Sequence, residues 1–132
     1  MEECPVLGLS HITFAVSDLQ RSVDFYVGAL GAKVLLRSER MAYLDAGGVW
    51  LALNLQVGKT KIDETSYTHV AFHVSESLLE ASSQRLANLG VKSDPGRIRE
   101  AGEGRSIYFR DPDGHLLEFH TGSLLERLKS YK

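Results

Sequence analysis

The sequence predicts an α+β fold of two βαβββ modules, their strands forming a cupped, barrel-like mixed sheet with helices outside. Three observations predict it: an internal repeat, the same order of strand and helix periodicities in each half, and turn chemistry between the last two strands of each half. The repeat appears when Leu9-Ser10-His11-Ile12-Thr13-Phe14-Ala15-Val16-Ser17 is laid over Tyr67-Thr68-His69-Val70-Ala71-Phe72-His73-Val74-Ser75.

Each β-like run leads into a helical spacing, Leu19, Val23, Tyr26 and Leu30 in the first half and Leu79, Ser82, Leu86 and Leu89 in the second. Ser17-x-x-Gln20 and Ser77-x-x-Glu80 fit capping boxes, and Gly31 and Gly90 stand where a left-handed helix end is wanted. Strands are then predicted over 33–38, 41–46 and 49–55, and over 91–98, 105–110 and 115–121. Ala46-Gly47-Gly48 and Asp111-Pro112-Asp113-Gly114 turn the last two strands of each set into hairpins. The modules run from about 8 to 56 and from 66 to 122, with Val57 to Thr65 as a polar linker. Ser123-x-x-Glu126 opens a C-terminal helix over 123–132 carrying Leu124, Leu125 and Leu128, and the whole of 1–132 reads as one domain.

The 132 residues are 43% apolar, enough for a packed core, which excludes disorder as the bulk description. Fifteen Lys and Arg against seventeen Asp and Glu give a net charge of −2, so no broad positive field exists for nucleic acid. The single cysteine, Cys4, cannot form an internal disulfide, and Met1-Glu2-Glu3 is acidic where a secretory signal would be basic. No apolar run approaches the roughly 20 residues that span a bilayer. A cytoplasmic protein without membrane association is the expectation.

Alternation along the strands separates an oily face from a chemical one. Ile12, Phe14 and Val16 oppose His11, Thr13 and Ala15; Val70, Phe72 and Val74 oppose Tyr67, His69, Ala71 and His73. Val49, Leu51 and Leu53 oppose Trp50, Ala52 and Asn54, and Leu117 and Phe119 oppose Leu116, Glu118 and His120. Tyr43 and Asp45 oppose Ala42 and Leu44; Ser106, Tyr108 and Arg110 oppose Ile107 and Phe109. A face that merely met water would carry Lys, Glu and Thr; His, Tyr and Trp suit a lined cavity.

His11 and His69 hold equivalent places in the repeat, and Glu118 lies on the hairpin strand of the second half. Two imidazoles and a carboxylate form an open site for a borderline divalent ion such as Mn, Fe, Co, Ni or Zn. The other reading, two core histidines with satisfied hydrogen bonds, stays open on spacing alone. The position equivalent to Glu118 in the first half is Ala52, so a fourth protein ligand is absent there. His73 and His120 are expected to support or pack, and His115 to be exposed.

From Gly8-Leu9-Ser10-His11 through Gly48-Val49-Trp50-Leu51-Ala52-Leu53-Asn54, Ser66-Tyr67-Thr68-His69 and Ser106-Ile107-Tyr108-Phe109-x-Asp111-Pro112-Asp113-Gly114-His115 to Glu118-Phe119-His120-Thr121-Gly122 and Glu126-Arg127-Leu128, the chain resembles the vicinal oxygen chelate superfamily. Within it, the resemblance is strongest to the fosfomycin resistance enzymes. The resemblance implies His11, His69 and Glu118 as ligands of Mn²⁺, or of Zn²⁺, Ni²⁺, Co²⁺ or Mg²⁺. It also implies a homodimer whose active sites draw on both chains, and antibiotic resistance by opening the epoxide of fosfomycin.

Three chemistries occur in such enzymes: addition of glutathione, of bacillithiol or cysteine, or of water. Pro95-Gly96-Arg97-x-Arg99 is similar to the bacillithiol branch, Thr13 to the glutathione branch, and Gly102-Glu103-Gly104-Arg105-Ser106 to the hydrolases. The water-activating glutamate of hydrolases falls here on Met41, whose thioether cannot accept a proton, unless Glu39 replaces it through a bulge. Metal-dependent transfer of a small thiol to the epoxide carbon is therefore the expected activity, with proximity supplying much of the rate.

In that reading the metal and Thr13 polarise the epoxide oxygen, and Tyr108 joins them as a catalytic hydroxyl donor. Arg97, Arg99 and Arg127, with Ser106 and Tyr108, bind the phosphonate, guanidinium being suited to it by its planar fork. Tyr43, Trp50, Asn54 and Tyr67 wall the pocket, and a monovalent cation such as K⁺ binds around residues 101–106. The competing readings are a fosfomycin epoxide hydrolase, a drug-binding protein of the same fold without chemistry, and an Fe²⁺ ring-cleaving dioxygenase.

Overall fold

The computed structural model describes residues 3–58, 62–97, 99–100 and 102–131. Met1 and Glu2 of the acidic N-terminus, residues 59–61 of the expected linker, Ile98, Ala101 and Lys132 lie outside the described residues. The chain divides into two compact units, Met1–Lys59 and Thr60–Lys132.

The first unit runs β1 (Ile12–Val16), α1 (Leu19–Leu30), β2 (Lys33–Arg37), β3 (Met41–Ala46) and β4 (Val49–Leu55). Its sheet has the order β1-β4-β3-β2, with β1 parallel to β4 and the other pairs antiparallel. The second runs β5 (His69–His73), a 3₁₀ turn (Glu76–Leu78), α2 (Leu79–Asn88), β6 (Ser93–Asp94), β7 (Ser106–Arg110), β8 (Leu116–His120) and α3 (Leu124–Ser130). Its sheet repeats the topology as β5-β8-β7-β6, with β5 parallel to β8. The α+β class and the doubled βαβββ order are as the sequence implies; among the described residues the strands make two four-stranded mixed sheets, one in each unit.

The oily faces build the cores. In the first unit Leu44, Leu51 and Leu53 are fully buried beneath α1, whose Leu19, Val23, Tyr26 and Ala29 face them, and Phe14 stacks on Tyr26 at 5.4 Å. In the second, Leu79 and Leu86 of α2 and Leu117 of β8 are fully buried, with Phe109 and Phe119 in contact at 4.7 Å. Each such leucine contributes about 1.5–3 kcal/mol by leaving water. Leu89 departs from its expected face and is half exposed, because α2 ends at Asn88 before the stripe comes round again.

The hairpin of β3 and β4 closes at Gly47 and Gly48, both at positive φ (60° and 91°), as a two-residue turn with the right twist demands. Asp45 Oδ1 accepts from the Gly48 N–H at 2.8 Å and fixes that turn.

Several local expectations are corrected. Helix α1 is capped by Asp18, whose carboxylate accepts from the Arg21 N–H at 3.0 Å; the Ser17 hydroxyl instead accepts from the Arg21 guanidinium. Helix α2 has no side-chain cap, because the preceding 3₁₀ turn carries the chain in and Ser77 pairs with Ser75. The Ser123 cap of α3 is present, accepting from the Glu126 N–H at 3.1 Å. The strand expected over 91–98 is reduced to Ser93–Asp94, since Pro95 has no N–H to give the ladder and the Gly96 N–H turns back to Asp94 Oδ1. β1 begins at Ile12, so His11 stands just before its ladder. No helix among the described residues is long and apolar enough to cross a membrane.

Candidate active site

The second sheet assembles most of the chemistry by register. Ala71 and Tyr108 flank Glu118, while His73 and Ser106 flank His120, so one face carries His69, Glu118, His120, Ser106 and Tyr108 as neighbours. Glu118 is buried at 5% exposure, which demands that its oxygens be satisfied. Its Oε1 lies 2.9 Å from His69 Nε2, and its Oε2 accepts from Ser106 Oγ at 2.5 Å.

The tautomer of His69 follows from its other nitrogen. Nδ1 is 2.7 Å from the Tyr67 carbonyl, which can only accept, so Nδ1 carries the proton and the Nε2 lone pair points at Glu118. Two acceptors 2.9 Å apart repel unless positive charge, a proton or a metal ion, is shared between them. The donor set, an oriented imidazole and a buried carboxylate, therefore fits a divalent cation. Among the described residues no group of three or more His, Cys, Asp or Glu close enough to hold a metal is gathered. His11 belongs to the first unit, exposed, its Nδ1 2.9 Å from Ser10 Oγ and its ring 4.2 Å from that of Trp50.

Beside the pair stand two tyrosines and an arginine. Tyr108 and Tyr67 share a hydrogen bond at 2.9 Å, and Arg99 Nη2 donates to the Tyr108 hydroxyl at 3.2 Å. Burial first, then the Tyr67 bond, pushes the Tyr108 hydroxyl up to about 12, so it remains a neutral donor across the physiological range. Arg99 Nη2 also lies 3.9 Å from Glu118 Oε2, and Arg99 Nε is buried with no hydrogen-bond partner.

Arg97 and Arg127 are placed differently. Both guanidinium Nη atoms of Arg97 contact the Glu103 carboxylate, at 3.3 and 2.5 Å; Arg127 Nη2 donates to the Glu103 carbonyl, and its Nε, 3.9 Å from the carboxylate, is buried without a hydrogen-bond partner. Arg97, together with the Glu100 N–H, holds the Glu103 carboxyl down at about 2. Glu103 is the organising residue that reading the sequence missed; its signal was a carboxylate flanked by two glycines among arginines. The stretch expected to hold a monovalent cation contains this carboxylate. Its oxygens accept from the Arg97 guanidinium and the Glu100 N–H, and Ala101 of that stretch lies outside the described residues.

The first sheet supplies the remaining candidates. Thr13 and Asn54 are exposed, on β1 and β4; half-buried Tyr43 on β3 meets Trp50 edge-on at 5.2 Å, and Trp50 is 39% exposed. Met41 pairs in regular register with Asn54, and Glu39 lies in the turn before β3, so no bulge carries Glu39 into the place of Met41. Ala52 faces Thr13 and Tyr43 where the second sheet has Glu118 between Ala71 and Tyr108. Of the other histidines, His73 is exposed. His115 is half-buried, its N–H held by Asp111 Oδ1 at 2.9 Å.

A family model described as the Glyoxalase/Bleomycin resistance protein/Dioxygenase superfamily matches residues 8–119. The metallothiol transferase FosB of Shouchella clausii is 49% identical over 130 residues, covering 96% of this chain and 88% of that one. That of Lysinibacillus sphaericus is 44% identical, covering 96% and 91%. A variant of the fosfomycin resistance protein FosX from Listeria monocytogenes, crystallised with Mn(II) and 1S,2S-dihydroxypropylphosphonic acid, superposes with a TM-score of 0.86. It is 36% identical, with 96% of this chain and 99% of that one covered.

Proposed function

Because the chain belongs to the Glyoxalase/Bleomycin resistance protein/Dioxygenase superfamily, we propose that it is a metal-dependent enzyme that inactivates fosfomycin by adding a small thiol to an epoxide carbon. The observation that carries this is the His69–Glu118 pair with Arg99 at its side, a metal-ready pair next to a guanidinium whose buried Nε–H lacks an acceptor. The ligands would be His11, His69 and Glu118, with Mn²⁺ as the ion and His11 supplied to each site by a second copy of the chain. The bound ion supplies Lewis-acid polarisation of the epoxide oxygen.

The chain's own residues do the rest. Arg99 and Arg127, each with a buried Nε–H to satisfy, bind the phosphonate, and Arg97, ion-paired to Glu103, is the third candidate donor. Tyr108, neutral throughout the working range, donates a hydrogen bond that strengthens as charge develops on the opening ring, and Thr13 does the same from the first unit. Tyr43, Trp50, Asn54 and Tyr67 are the remaining candidates to contact the bound drug. Thiol rather than water is favoured because Met41 stands where hydrolysis would need a base. The thiol is bacillithiol, cysteine or glutathione, and the protein works in the cytoplasm.

The second reading, hydrolysis, draws on the FosX neighbour crystallised with a diol of propylphosphonic acid. Protein incubated with Mn²⁺, fosfomycin and each thiol in turn should yield the thiol adduct by mass spectrometry, and water alone should yield no diol. Diol without thiol would establish the second reading; no product in any tube would leave a drug-binding protein.

A further inference from the structure

Ser106, a candidate for the phosphonate, makes two short contacts with its hydroxyl in this structure. A serine hydroxyl has one proton. With Glu118 ionised, that proton lies in the 2.5 Å contact to Oε2, so Ser106 Oγ must accept at its other short contact, 2.7 Å to His120 Nδ1. The donors therefore run in one direction, from His120 Nδ1–H to Ser106 and from Ser106 to Glu118.

The imidazole at the head of this chain sits in a slot built from glycine. A Cβ on Gly122 would come within 3.0 Å of His120 Nε2, and one on Gly104 within 3.2 Å of His120 Cε1. Backbone pairing adds to the constraint, for Ser106 is opposite His120 across the β7–β8 ladder and Glu118 is the next residue on the same face. The ring therefore has little freedom to turn its Nδ1 away.

We propose that His120 and Ser106 are positioning residues for the metal site: together they clamp Oε2 of Glu118, leaving Oε1 alone to face the ion beside His69 Nε2. This rests on the metal-dependent reading above. The clamp orders a carboxylate that would otherwise rotate or bind through both oxygens, so its loss lowers metal affinity and not substrate affinity.

The test is a Mn²⁺ titration, with free ion read by electron paramagnetic resonance, on the wild type and on Ser106→Ala, His120→Phe and His120→Asn. The Asn amide can place an N–H near the site of Nδ1. The metal Kd should rise on the order of 10-fold in Ser106→Ala and His120→Phe, and return to within about threefold of wild type in His120→Asn, as losses of metal-supporting hydrogen bonds do elsewhere. The same order among the variants should appear in the Mn²⁺ concentration that gives half-maximal turnover. An unchanged Kd in Ser106→Ala with a raised KM for fosfomycin would overturn the proposal and return Ser106 to the substrate. Thermal melts of the apo forms separate misfolding from lost affinity. If wild type itself binds no Mn²⁺, the metal-dependent reading fails and not only the clamp.

Discussion

Glu103 illustrates how one side chain organises several. Its lowered pKa, about 2, means that the folded state holds a carboxylate where the unfolded chain would bind a proton near 4.5. The stability from this carboxylate is thus present above the unfolded value and is lost as pH falls from about 4.5 towards about 2. Denaturant midpoints of the wild type should decline through that window, and Glu103→Gln should show a shallower decline from a lower neutral-pH starting point; parallel profiles would contradict it. At Glu118 the expected result is sharper, since Glu118→Gln removes a ligand charge, and Mn²⁺ binding and turnover should both fall at least 100-fold. Retained turnover would remove Glu118 from the ligand set.

At the scale of elements, the loop before β7 and the segment after β8 meet where only glycine fits. A Cβ on Gly104, at φ 76°, would lie 2.5 Å from the Gly122 nitrogen and 2.7 Å from its Cα, both backbone atoms that cannot yield. Gly104→Ala should destabilise the protein by about 2–4 kcal/mol, combining left-handed strain with overpacking; a chemical denaturation midpoint near that of wild type would refute this. The elements themselves were largely legible. Alternation in β3, β7 and β8, the Gly47-Gly48 turn and the Ser123 cap all follow from local chemistry. The α1 cap was not, because Ser17 and Asp18 are both good caps and only the Arg21 side chain, drawing off Ser17, decides between them. The extent of β6 was not either, as the turn at Gly96 depends on an Asp94 side chain rather than on a hydrophobic pattern. Within the site, residues on one face were readable from alternation. The direction of each hydrogen bond was not, since Ser106 has the same chemistry whether it serves a phosphonate or a carboxylate.

For the whole molecule, the pairing of His69 with Glu118 in one unit and the placement of His11 in the other make assembly the question. Exposed apolar side chains on both units, among them Leu7, Leu35, Leu124 and Leu125, are consistent with a partner surface. If His11 comes from a second copy, the inactive variants His11→Ala and Glu118→Gln should complement each other when mixed. Half of a freely exchanging population would be mixed dimers with one intact site, giving about a quarter of wild-type activity. Zero recovery after verified exchange would place each site within one chain.

On the proposed function, this chain joins a thiol to fosfomycin at a metal that two imidazoles and a carboxylate would hold. The products can be read by mass spectrometry after fosfomycin is incubated with Mn²⁺-loaded protein and bacillithiol, cysteine, glutathione or water alone. The expected products are a thiol adduct that disappears in Glu118→Gln and no diol in the water tube; a diol formed without thiol, or fosfomycin recovered intact from every tube, would refute thiol transfer.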